Sequence, residues 1–323
     1  MDFAFTEDQL TLTEGVRDYL AGTHGPEVLR RLDQAETPRD PAIWQGLVEM
    51  GLPGLLVPEE HGGMGLGLIE AALIARECGR ANLSEPLVDT AFVTVPWLIA
   101  KGETDDLEPI AEGEKQVTLP HAINPWVADG EGEELESVDP LRQLSVRVER
   151  SRDTPLDTLE ANPSDDPLLL DLGALMAAAQ VVGAAEAMLD MAVEYAKVRT
   201  QFGQPIGGFQ AVKHQLADVA VVLEFARPVL WRAAEALQNE NRHAPALVSH
   251  AKIAATDAAT LAAETAIQVH GAMGYTYEVD LHFWMKRALA LGGAWGSRMF
   301  HVRRMDDAII GGTLPIGPEN TFA

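Results

Sequence analysis

Apolar residues recur every three or four positions through most of this chain, the spacing that lines one face of a helix. Thr6 with Gln9 three residues on makes a capping-box pattern, and Leu12, Val16, Tyr19 and Leu20 follow at helical intervals. Pro41 opens a short helix carrying Trp44, Leu47 and Val48, and Gly51 ends it. A helix over Ile69–Arg80 puts Ile69, Ala72, Leu73 and Arg76 on one side. The next apolar run, Leu87 to Ile99, is expected to bend or end at Pro96.

Beyond residue 167 the pattern lengthens. Leu168–Val198 is almost free of helix breakers, and about 30 helical residues span roughly 45 Å. Phe209–Glu240 forms a second long helix with a kink expected at Pro228. Pro245 to about His270 forms a third, rich in alanine. A turn at Gly271–Tyr275 leads to a fourth that ends near Gly311-Gly312. Long helices joined by short turns predict an antiparallel four-helix bundle.

Between about Lys115 and Asp166 the composition shifts. Pro120, Pro125, Pro140, Pro155, Pro163 and Pro167 punctuate it, and Asp129, Glu131, Glu133, Glu134 and Glu136 form an acidic cluster. Alternation at Leu144–Val148 suggests a short strand. The fold class is therefore mainly α: an N-terminal helical domain over 1–120, a proline-rich, acidic middle β region or linker over 121–166, which the family resemblance given below implies is shortened, and a C-terminal four-helix bundle over 167–323.

Composition removes several function classes. The net charge of −25, from 24 basic and 49 acidic residues, opposes nucleic-acid phosphate and anionic lipid. No apolar run reads as long enough to cross a bilayer. The start, MDFAFTEDQ, lacks the basic and apolar regions of a secretory signal, and Cys78 is the only cysteine, so the cytoplasm is the expected compartment. The nine histidines are scattered without metal-ligand spacing, and no Gly-x-Ser-x-Gly is present. The glycines of Gly51–Gly67 lack the Lys-Ser/Thr of a phosphate loop. His214 and His270 read as partnered helix residues rather than general bases.

One stretch carries more. In Tyr195–Gln210, YAKVRTQFGQPIGGFQ, Arg199 stands at a helix C-terminus, where a cation complements the negative end, just before a break at Pro205-Ile206-Gly207-Gly208. A second segment, Ala266–Tyr275, reads AIQVHGAMGY. With Glu59, Glu60, Gly62, Gly63 and Gly65, then Glu77-Cys78-Gly79-Arg80, these segments resemble the acyl-CoA dehydrogenase family. The resemblance implies a flavin site in which Arg199, Phe202, Gln210, Gln268, Gly271 and Gly274 serve the FAD of an adjacent subunit. Ala272 replaces one of the usual glycines. A guanidinium suits pyrophosphate oxygens, and glycine lets backbone approach a cofactor closely.

Two expected features are missing. The Thr-Glu-Pro … Gly-Ser-Asp segment that the family's middle domain packs on the flavin ring has no counterpart here: Glu85-Pro86 and Glu108-Pro109 lead to no Gly-Ser-Asp. The catalytic Glu of most members falls on Trp295, within Ala294-Trp295-Gly296-Ser297, and that of a minority branch falls on Gly173. Asp171 is two residues away, about 200° round the helix. No catalytic base is therefore expected in this chain. The pattern resembles the short subunits of heteromeric acyl-CoA dehydrogenases. It implies a full-length paralogue that brings the flavin pocket and the Glu, an acyl-CoA substrate, bulky or steroid side-chain thioesters among them, and an electron-transfer flavoprotein as acceptor. A self-sufficient homo-oligomer and a non-enzymatic binding protein on the same scaffold stay open as alternatives.

Overall fold

The capping box is made: Thr6 Oγ1 accepts from the Gln9 N–H and Gln9 returns a bond to the Thr6 N–H, opening α1, Glu7–Thr23. This is a computed structural model, and it describes residues 4–128, 133–146, 165–317 and 320. The expected Asp129, Glu131, Pro155 and Pro163 features lie outside those residues. After α1 come α2 (Pro26–Asp33), α3 (Pro41–Glu49) and α4 (Leu68–Ala81), with α5 (Val95–Lys101) and α6 (Leu107–Ala111) beyond. Gly51 ends α3 in the left-handed region, φ 73°, a conformation glycine adopts without strain. The glycine-rich stretch after it forms two short 3-10 turns with Leu52 and Leu55 fully buried, a packing element.

Pro96 does not end the apolar run. A π-helical stretch, Val88–Thr94, passes directly into α5, with Pro96 at the junction.

Five helices follow: α7 (Pro167–Val198), α8 (Gln210–Gln238), α9 (Ala244–His270), α10 (Leu281–Gly293) and α11 (Arg298–Ile310). Helix α8 runs as one helix with Pro228 inside it, as the sequence leads one to expect. The expected fourth helix is two, because Trp295 and Gly296 both take positive φ, 56° and 100°, and Ser297 caps a new helix. Another correction concerns α7: its 32 residues are long and apolar enough to cross a membrane by composition. Its apolar side chains are buried against neighbouring helices, the placement of a core helix.

Helix α7 is the axis of the core, with α4, α9, α8 and α10 packed around it. It meets α4 backbone to backbone. A Cβ on Gly183 would lie 1.9 Å from the Arg76 carbonyl oxygen, and one on Gly79 would lie 2.0 Å from that of Gln180. Ion pairs cement the crossing. Buried Glu186 of α7 accepts from Arg76 Nε (2.8 Å) and Arg227 Nε (2.7 Å), while Glu77 of α4 accepts a bidentate pair from Arg17 of α1.

The middle region contributes a three-stranded antiparallel sheet, β1 (Trp126–Val127), β2 (Glu133–Leu135) and β3 (Leu144–Val146), in the order β1-β3-β2. Trp126 pairs with Val146, and Leu135 with Leu144. The expected Leu144–Val148 strand is present to Val146, and the rest lies outside the described residues. Buried Arg287 of α10 pairs with Asp139, and Arg142 pairs with Asp89, so this small sheet is tied to the helices.

Candidate functional site

The C-terminal end of α7 is built to present groups outward. Arg199 caps the helix with its N–H on the Tyr195 carbonyl (2.9 Å), and the chain turns extended. A two-residue hairpin follows: β4 (Thr200–Gln201) pairs with β5 (Gln204–Pro205) across Phe202-Gly203. Both turn residues have positive φ, 51° and 85°, as a primed hairpin turn requires. Glycine adopts this readily; phenylalanine does so at a cost. The strained Phe202 ring is 93% exposed and touches Phe209 edge-on. Among the described residues its one ring contact is Phe209. Gln210 begins α8, where free backbone N–H groups favour an anion.

A second piece of chain arrives at the same end. Tyr195, one turn before Arg199, stacks on His270 at 4.3 Å, which joins the end of α7 to the end of α9. His270 is buried with Nδ1 on the Ala266 carbonyl, so it is a core residue as expected, whereas His214 is exposed. Gln268 is exposed on the last turn of α9. Gly271 follows at φ 61°, and Gly274 is buried where a Cβ would meet the Ile267 carbonyl oxygen at 2.9 Å. Tyr275 and Tyr277 stand 79% and 74% exposed beside this turn. The Arg199 guanidinium is exposed and has no hydrogen bond or ion pair among the described residues. In a chain with twice as many acids as bases, an unpaired arginine at such a junction is chemically available for an anion. The donor set fits a flavin dinucleotide's pyrophosphate: a guanidinium, a helix N-terminus and glycines without Cβ.

Gly173 of α7 and Trp295 of the α10–α11 turn, the two positions where the resemblance places a base, touch each other: a Cβ on Gly173 would lie 2.1 Å from the indole ring. Trp295 is 4% exposed. Asp171 points elsewhere, into an ion pair with Arg304; burial pushes its carboxyl up and the guanidinium draws it back down. Glu85 is buried as a structural acceptor for the Asp40 N–H (2.8 Å), and burial raises it also.

Sequence reasoning missed the polar groups that surround this tryptophan. Asn124 Oδ1 accepts the Trp295 N–H (3.0 Å), and His301 Nε2 donates to its carbonyl (3.0 Å). Lys252, fully buried, donates to the carbonyls of Leu291 and Gly292 at the end of α10. Burial holds Lys252 down to about 7 and His301 down to about 4. Only Gly296-Ser297, a break followed by a capping residue, signalled this turn in the sequence.

Comparison with known proteins agrees with the architecture. The family description "Acyl-CoA dehydrogenase, N-terminal domain" matches residues 6–106, and "Acyl-CoA dehydrogenase, C-terminal domain" matches 168–309. The chain is 34% identical over 303 residues to acyl-CoA dehydrogenase IpdE2 of Mycobacterium tuberculosis, covering 87% of this chain and 91% of that one. In fold it is similar to the ChsE4-ChsE5 complex from Mycobacterium tuberculosis, with TM-score 0.78 and 24% identity over 96% of this chain and 99% of that chain. It is also similar to the Tcur3481-Tcur3483 steroid ACAD, with TM-score 0.80 and 23% identity over 96% of this chain and 99% of that chain. The chain belongs to the acyl-CoA dehydrogenase family, whose cofactor is FAD.

Proposed function

We propose that this chain is a subunit of a heteromeric acyl-CoA dehydrogenase and lends half of an FAD site to a full-length paralogue that carries the catalytic Glu. One observation carries this reading. Arg199, Phe202 and Gln268 are exposed, with the Arg199 guanidinium unpaired among the described residues, while Gly173 and Trp295, where the resemblance places a base, carry no carboxylate and pack on each other.

FAD, when bound, supplies the two-electron acceptor for α,β-desaturation of an acyl-CoA thioester. This chain's part is binding and orientation. Arg199 pairs with pyrophosphate oxygens in a charge-assisted, fork-shaped contact. The α8 N-terminus at Gln210 adds a positive dipole end. Gln268 offers an amide, and Gly271 and Gly274 keep Cβ atoms out of the approach. Phe202, an exposed ring in a left-handed turn, would offer the dinucleotide an apolar surface. Abstraction of the α-proton belongs to the partner's carboxylate, because a base must lie within hydrogen-bond reach of that proton.

The substrate class in this reading is a bulky acyl-CoA thioester such as a steroid side chain, and the acceptor is an electron-transfer flavoprotein. The test is Arg199→Ala in the co-purified complex. Flavin occupancy is expected to fall at least tenfold at limiting FAD, about the effect of losing one charge-assisted contact, with both chains still folded. Unchanged occupancy would remove Arg199 from the site.

A further inference from the structure

We propose that the cavity enclosed by α1, the start of α2, α4, α7 and α10 is a ligand site for a compact apolar molecule bearing one carboxylate. It shares no lining residue with the flavin half-site. Its volume is about 320 Å³, at the small end of the range for ligand pockets, about 300–1,000 Å³. Leu20, Pro26, Ala81, Ala187, Met191 and Trp284 form its apolar walls. Trp284 spends its only donor on the Arg80 carbonyl (2.7 Å), which leaves its ring as hydrocarbon surface. His24 lines the same space and is 2% exposed. Burial holds its imidazole down to about 4, so it is uncharged at neutral pH. Such walls favour an apolar body over water.

The rim is different. Arg17 and Arg80 line the cavity with side chains 44% and 34% exposed. Both have donors to spare. Arg17 gives Nε and Nη2 to Glu77, and its Nη1 makes no hydrogen bond among the described residues. Arg80 gives Nη2 to Asp190. Its Nη1 stands 3.9 Å from Glu186, beyond hydrogen-bond length, and its Nε makes no bond among the described residues.

The local charge favours an anion. Behind the wall two buried carboxylates, Glu77 and Glu186, face four arginines: Arg17, Arg76, Arg80 and Arg227. Asp190 and Glu224, which bring the count level, are 56% and 69% exposed, so water screens them. Glu14, another acid acting on Arg17, is also exposed. A carboxylate at the rim accepts charge-assisted bonds from the unspent guanidinium N–H groups. The second charge of a phosphate would oppose Glu77, which lines the cavity too. A bound acid joins Arg17 of α1 to Arg80 of α4 and fills the space beside α7, so occupancy stabilises the fold.

The test uses 1-adamantanecarboxylate on the full chain, with 1-adamantanecarboxamide as the uncharged twin and acetate as the head alone. Calorimetric titration at low ionic strength is expected to give one equivalent with a Kd on the order of 0.1 mM, ordinary for so small a ligand. The amide binds at least tenfold more weakly, and acetate gives no binding heat. At about ten times Kd the acid raises Tm by roughly 2 °C. Two variants locate the site. Arg80→Gln weakens the acid at least tenfold and leaves the amide unchanged. Met191→Glu, at a half-buried wall position, abolishes binding of the acid. Melts without ligand show that each variant folds, and Met191→Glu decides the question if Arg80→Gln does not. Arg199→Ala binds the acid as the wild-type chain does. No binding to the wild-type chain, an amide as tight as the acid, or undiminished binding by Met191→Glu overturns the proposal. Loss of binding in Arg199→Ala would move the acid to the flavin half-site and overturn it also.

Discussion

Replacing Glu186 by Gln removes the charge that three arginines share at the meeting of α4, α7 and α8. Its side chain is 4% exposed and accepts from Arg76 Nε at 2.8 Å and from Arg227 Nε at 2.7 Å, with Arg80 at 3.9 Å. Breaking a buried pair by removing one partner costs about 3–5 kcal/mol, since the other charge stays desolvated. The loss is moderated here. Arg76 keeps Glu77, and Arg227 and Arg80, 30% and 34% exposed, keep Glu224 and Asp190. The expected loss is therefore about 2–3 kcal/mol, below that range because every arginine keeps a second carboxylate. Equilibrium urea unfolding reads it as a lower midpoint at unchanged slope. Because the pairs are shielded from solvent, the difference from wild type persists at 1 M salt, where exposed pairs are screened. Glu224→Gln is the control: its carboxylate is 69% exposed, so under 1 kcal/mol is expected. A Glu186→Gln protein no less stable than Glu224→Gln would refute the claim that this cluster cements the crossing.

Other expected outcomes follow from the same packing. Gly183→Ala forces a Cβ to 1.9 Å from the Arg76 carbonyl and should cost about 2 kcal/mol or more, since overpacking outweighs the helix-propensity gain. Gly15→Ala on α1 has nothing within 4 Å and should stabilise by roughly 0.5–1 kcal/mol; urea midpoints moving in opposite directions check the pair. Burial holds His24 and His301 down to about 4 against an ordinary 6.5. The unfolded chain thus binds more protons, and stability present above about pH 6.5 is lost as pH falls toward 4, up to about 3 kcal/mol per histidine. Stability measured from pH 7.5 to 4 should fall less steeply in His301→Gln.

Most helices were legible because their signals are local. Thr6 with Gln9, Pro41 and Gly51, and the apolar period of Leu12 to Leu20 each act within one or two turns. The errors arose where tertiary contacts decide. The apolar run passes from a π-helical stretch straight into α5 across Pro96, and the fourth helix divides at Trp295-Gly296. The α7 sequence meets the length and composition of a membrane helix, and only its neighbours show that it is a core helix. At the candidate site, the stretches Tyr195–Gln210 and Ala266–Tyr275 stood out in the sequence. That the ends of α7 and α9 are joined by Tyr195 stacking on His270 is something no spacing reveals. The lack of a carboxylate at Gly173 and Trp295 is likewise plain in the sequence. That Gly173 and Trp295 occupy one space, clamped by Asn124, His301 and Lys252, is a property of crossing helices far apart in the chain.

The central claim is that this chain completes a flavin site rather than containing one. Flavin per polypeptide, measured on the chain purified alone and again co-purified with a full-length paralogue, tests it most directly. The account predicts no flavin on the isolated chain and one flavin per pair in the complex. One flavin per chain in the isolated protein would contradict it.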